Sequence, residues 1–107
     1  MIKKSDFIAE LKYLTTSEGG RSTPAFSGYR PQIKFEFSEM QTSGQQTYID
    51  KNIACPGDTI TAEISMLSTD IFNNKLKEGL TFEFREGDRI IGTGKILTIL
   101  NKELIAL

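Results

Sequence analysis

Apolar and polar residues alternate with period two at three places along the chain. Ile33, Phe35 and Phe37 alternate with Gln32, Lys34 and Glu36, which puts three apolar side chains on one face of an extended segment. The same alternation recurs in Ile60, Ala62, Ile64 and Met66 against Thr59, Thr61, Glu63 and Ser65, and in Leu80, Phe82 and Phe84 against Thr81, Glu83 and Arg85. Each reads as a half-buried strand. The β-branched run from Ile90 to Leu100 reads as a further strand, where Gly92 and Gly94 point to a bulge, a sharp bend or a close backbone approach. Glu86-Gly87-Asp88 supplies the turn before it.

The opening segment carries two patterns. Phe7, Ala9, Leu11 and Tyr13 fit a strand, whereas Ile8, Leu11 and Leu14 after Ser5 fit a capped helix, and the strand is favoured. Thr47 to Ile49 reads as a short strand, and Cys55-Pro56-Gly57-Asp58 as a tight turn, since proline presets φ and glycine accepts positive φ. Asp70, Asn73, Asn74 and Lys75 mark the stretch from Ser68 to Glu78 as a loop with room for one helical turn. About six strands with so little helix imply a closed β-barrel or a sandwich.

Composition narrows the chemistry. A chain of 107 residues suits one compact domain, expected to span residues 1–107. Thirteen Lys+Arg against fourteen Asp+Glu leave a net charge of -1, so any nucleic-acid contact depends on a local basic patch. The single cysteine, Cys55, forms no intrachain disulfide, and with no apolar stretch long enough for a signal or a membrane span a cytoplasmic protein is expected. The absence of histidine excludes Ser-His-Asp and Cys-His catalysis and, with one cysteine, any ordinary zinc site.

Gly92-Thr93-Gly94-Lys95 is not a P-loop, because Arg89 stands where the first glycine is needed and Ile96 where Ser or Thr should follow the lysine. The acidic residues, Asp6 among them, form no acid/base motif and are expected on solvated surfaces. Cys55, without an activating partner, is expected as a small buried side chain. The stretch from Ser17 to Pro31, with Arg21 and Arg30, is longer than a simple hairpin needs. It reads either as a binding loop or as a barrel-closing loop whose Phe26 and Tyr29 pack on the core.

The run EGGRSTPAFSGYRPQIKFEF, from Glu18 to Phe37, closely resembles the third, C-terminal domain of bacterial elongation factor Tu. CPGDTITAEI from Cys55 resembles that family's Pro-Gly-Asp turn and following strand, and EGLTFEFREGDRIIGTGKILTIL from Glu78 its Leu-x-Phe strand, Arg-Glu-Gly turn and closing Gly-x-Gly strand. The resemblance spans nearly the whole chain, with the motifs in order. It implies an all-β fold, a six-stranded closed antiparallel barrel that binds and does not catalyse, without cofactor or metal. The family's P-loop and magnesium ligands belong to domains that these residues do not resemble, so GTP binding or hydrolysis is not expected of this chain alone.

By motif, Gln32, Glu86 and Gly87 resemble contacts to the T stem of aminoacyl-tRNA, Gly19 resembles a position facing the GTPase domain, and Arg21 and Arg30 match basic residues of the shared loop. Two departures stand out. Glu36-Phe37 replaces an Arg-Thr pair that in the family lies near the junction of its three domains, and the segment from Ser68 to Glu78 is longer than the family's link. The expectation is a non-enzymatic module that engages a protein partner, or tRNA weakly, through the 19–32 loop and the 86–87 turn. The alternative is a decoy or immunity-type protein that mimics elongation factor Tu for an agent targeting it.

Overall fold

A computed structural model describes residues 4–107. It contains eight strands: β1 (Phe7–Tyr13), β2 (Ala25–Phe26), β3 (Gln32–Phe35), β4 (Gln41–Tyr48), β5 (Ile53–Ala54), β6 (Thr59–Met66), β7 (Thr81–Glu86) and β8 (Arg89–Ile99). Six of them close into a barrel in the order β1-β6-β4-β3-β7-β8, every pairing antiparallel, while β2 and β5 form a separate two-stranded pair. The family resemblance implied this closed six-stranded barrel. Strict antiparallel order places residues 14–31, 49–58 and 87–88 at one rim and residues 36–40, 67–80 and 100–107 at the other.

The period-two residues fill the interior. Phe7, Ala9, Leu11 and Tyr13 all point inward, so β1 is the strand and not the helix. Phenylalanine rings meet at the centre: Phe7 and Phe35 each lie 5.6 Å from Phe82, and Phe35 lies 5.0 Å from Phe72. Such tilted and edge contacts suit the ring quadrupole.

Of the three readings of the β8 glycines, the close backbone approach and the bulge are realised. Gly92 pairs with Phe84 and Gly94 with Phe82, and a Cβ at either position would stand 2.2 Å from its partner's ring. Each ring lies across the bare backbone opposite it. The strand is also bulged: Arg85 pairs with Ile90 and Phe84 with Gly92, leaving Ile91 as the extra residue, and Leu97 is extra in the same way against β1.

Four expectations are corrected. β4 runs over eight residues, not the short piece from Thr47 to Ile49, because its inward positions are Thr42, Gly44, Gln46 and Tyr48 and show no apolar alternation. Phe37 is not a third inward residue, since β3 ends at Phe35 and the chain turns; Phe37 is 47% exposed and stacks on Phe35 at 5.7 Å. Asp6 is 1% exposed, not solvated. Its Oδ2 accepts the Met66 N–H at 2.7 Å, its Oδ1 accepts the Asn101 amide at 3.1 Å, and its carbonyl accepts from the N–H groups of Leu100 and Asn101. The start of β1 is thereby fastened to the ends of β6 and β8, which repays the burial of a charge. Cys55 is exposed, because the two-residue β5 ends beside it and the chain turns through Pro56-Gly57 at the rim. No helix among the described residues is long and apolar enough to cross a membrane.

Candidate binding surface at one rim of the barrel

Residues 19–32 and 86–87 are far apart in sequence and adjacent in space. The β7–β8 hairpin turns through Gly87-Asp88, with Gly87 at φ 63°, a left-handed value that glycine adopts without a Cβ clash. This turn presents Glu86 to the loop. Arg21 Nη1 lies 2.5 Å from Glu86 Oε2, and the Tyr29 hydroxyl donates to the same oxygen. The Arg21 guanidinium sits over the Tyr29 ring, 4.9 Å from its centroid, and also reaches Thr23 Oγ1 at 3.3 Å.

A second arginine fastens the other side of the loop. Arg89 Nε donates to the Gly19 carbonyl at 2.8 Å and its guanidinium also donates to the Gly20 carbonyl. Thr15 and Glu18 bond reciprocally, Thr15 N–H to Glu18 Oε1 at 2.8 Å and Glu18 N–H to Thr15 Oγ1 at 3.2 Å. Gly20 is packed so closely that a Cβ would stand 2.3 Å from the Leu14 carbonyl oxygen. The loop is therefore ordered by its own contacts.

Below the latch lies a buried tyrosine network. Tyr29 is 6.4 Å from the Tyr13 ring, Tyr13 donates to Gln46 Oε1, and the Tyr13 and Tyr48 hydroxyls share a hydrogen bond of 2.7 Å. Burial first, then the Tyr48 hydroxyl, pushes the Tyr13 phenol well above its ordinary range. Tyr29 is raised as well, by burial and by the bond to Glu86. Both phenols therefore stay protonated as donors and offer no nucleophile near neutral pH.

The Glu86 carboxyl feels burial, which raises its pKa, but the Tyr29 hydroxyl and the Arg21 and Arg89 charges outweigh it and hold the group below the usual range. A depressed folded pKa means that the latch is fully present above the unfolded glutamate value of about 4.3 and is lost as pH falls through the folded one. Acid titration followed by amide chemical shifts should therefore disturb residues 19–24 and 86–89 before the barrel strands. Unchanged shifts there down to the pH of global unfolding would contradict the latch.

The six residues singled out in the sequence are distributed unevenly. Gly19, Arg21, Glu86 and Gly87 share the rim. Gln32 lies one step down the barrel wall, on β3 between Ser43 of β4 and Arg85 of β7, whose guanidinium is held by Glu83 at 2.5 Å. Arg30 stands apart from the latch, in a shallow cleft with Ser43, Gln45, Ser65 and Leu67, and makes no ion pair or hydrogen bond among the described residues. Phe26 is 63% exposed beside its register partner Ile53, so of the loop's two aromatic residues only Tyr29 packs on the core, to which the loop also contributes the buried Ala25.

Sequence reasoning missed Arg89 and gave Tyr29 only a packing role. Arg89 reaches across 69 and 70 residues to its acceptors, and no local spacing encodes that pairing. Among the described residues no cluster of three acidic or thiol side chains is placed to hold a metal ion. The geometry is that of a rigid rim of paired charges, glycines and one outward phenylalanine.

The family model of the elongation factor Tu C-terminal domain matches residues 1–100. With the closed six-stranded antiparallel barrel in agreement, the chain belongs to the elongation factor Tu C-terminal domain family.

Proposed function

We propose that this chain is a non-catalytic binding module that engages a translation-associated protein through the 19–32 loop and the 86–87 turn. The family supports a module related to a translation factor. The observation that carries the rest is the Arg21–Glu86–Tyr29 latch, which joins two distant segments into one surface already ordered before a partner arrives. Such preorganisation lowers the entropic cost of association.

Protein is favoured over RNA by the fate of the cations. Arg21 is spent on Glu86 and Arg89 on loop carbonyls, so few rim charges are left for phosphates, while Phe26 and Ile53 offer apolar area. Titrating labelled aminoacyl-tRNA against the protein should give a dissociation constant no tighter than about 10⁻⁶ to 10⁻⁴ M at physiological salt, with little dependence on the aminoacyl group. Nanomolar binding that separates charged from uncharged tRNA would restore a carrier-like role.

Affinity capture from cell extract should recover translation proteins, and Arg21→Glu should abolish that recovery by setting two acidic groups face to face. Arg30→Glu tests the wall beside the rim separately. Recovery unchanged by both substitutions would sink the proposed surface.

A decoy that mimics elongation factor Tu is the second reading. It is favoured by the opposite rim, where Glu36-Phe37 stands in the place of the family's Arg-Thr pair and the chain's own residues cover the barrel end. A toxin gene beside this one would favour the decoy, and a translation operon the first reading.

A further inference from the structure

Residues 101–107 lie beyond the family match, and they fold onto the segment between β6 and β7 that the sequence marks as longer than the family's link. A 3-10 turn at Lys102–Leu104 brings the chain alongside residues 74–76, where Leu76 and Ile105 form a parallel bridge. Four backbone bonds join the two: Asn74 N–H to the Glu103 carbonyl at 2.9 Å, Lys75 and Leu76 N–H to the Leu104 carbonyl at 3.0 and 2.8 Å, and Ala106 N–H to the Leu76 carbonyl at 2.7 Å. Leu104 is fully buried in the cluster that includes Phe72 and Leu76, while Lys102, Glu103, Ile105, Ala106 and Leu107 are exposed.

We propose that residues 102–106 are a releasable strap: they occupy in cis a groove along residues 72–76 whose floor is the buried Phe72 and Leu76, and leave it without unfolding the barrel. The open groove then takes an extended aliphatic segment with leucine at its centre.

The energetics of the two parts differ. Each barrel strand is paired on both sides, whereas the strap has one buried side chain and a single short edge of backbone bonds. Its hinge is well defined, because Asn101 is tied to Asp6 through its side-chain amide and its backbone N–H, and its Oδ1 accepts the Glu103 N–H at 3.2 Å. The groove wall carries two costs of its own. Asn74 holds φ at 61°, unusual outside glycine, and the buried Asn73 Oδ1 has no hydrogen-bond partner among the described residues. Main-chain bonds are indifferent to side-chain identity, so a second extended segment can remake them, and the Leu104 site supplies the selectivity.

Amide hydrogen exchange on the full chain tests the first half. The amides of Asn74, Leu76 and Ala106 should exchange together, at least about tenfold faster than those of the β1–β6 and β1–β8 ladders, whereas Lys75 N–H also bonds the Phe72 carbonyl and is not a reporter. Exchange at the barrel's own rate would overturn the proposal. For the second half, a fluorescent peptide with the sequence from Ile99 to Leu107 should bind the full-length Leu104→Ser variant and not the unaltered protein. The same peptide with serine in place of its central leucine should not bind. A folded variant that fails to bind the peptide would also overturn it, and if the variant does not fold, the exchange result decides alone.

Discussion

Replacing Phe35 by alanine should lower the unfolding free energy by about 3–5 kcal/mol, a large share of the 5–15 kcal/mol typical of a domain. Phe35 is fully buried and its ring meets four others, at 6.3 Å from Phe7, 5.7 Å from Phe37, 5.0 Å from Phe72 and 5.6 Å from Phe82. Truncation removes the apolar transfer term and leaves a void that a closed barrel collapses into poorly, because its strands are pinned on both sides. Urea unfolding followed by far-ultraviolet circular dichroism measures the change, with a lower midpoint and an unchanged slope expected. Phe26→Ala serves as the contrast, since that ring is 63% exposed and its loss should move stability by no more than about 0.5 kcal/mol. A Phe35→Ala loss below about 1 kcal/mol would mean that the aromatic cluster does not hold the barrel.

Gly92→Ala should cost about 2–3 kcal/mol, although alanine is ordinarily the better residue within a strand. The added Cβ would stand 2.2 Å from Phe84 Cζ and 2.5 Å from the Lys12 carbonyl oxygen, so both a core ring and the backbone of β1 must move. Thr93→Ala, at the neighbouring outward position, should stay within about 0.5 kcal/mol. Thermal unfolding of the two variants side by side separates a steric cause from a general sensitivity of β8. Equal behaviour would show that the ring of Phe84 is free to step aside.

The legible parts of the fold are those where the buried face is apolar. Phe7 to Tyr13, Ile60 to Met66 and Leu80 to Phe84 each show the alternation, and each lines the interior apart from Leu80, which sits just before β7 and is half-buried. β4 was hidden because its inward face is made of Thr42, Gly44, Gln46 and Tyr48. Each is explained only by a partner from elsewhere: Gly44 makes room for Ile33 Cδ1, Gln46 accepts from Tyr13, the Tyr48 hydroxyl meets that of Tyr13, and Thr42 Oγ1 accepts the Ser68 N–H. Asp6 is the same case with a charge. A carboxylate read alone belongs in water, and its burial becomes sensible only when Met66 and Asn101 are beside it.

The candidate surface divides along the same line. Glycines and turn residues at Gly19, Gly87 and Asp88 are local demands of backbone conformation, so these turns, the apolar buried faces and, through the motifs, the family can be read from the chain alone. That Arg21 pairs with Glu86, that Arg89 is tied to loop carbonyls and that Phe26 points outward are set by the closed barrel and not by the local sequence. Those outcomes depend on groups tens of residues away, brought together only when the barrel closes, and a period of two along a strand carries no information about them.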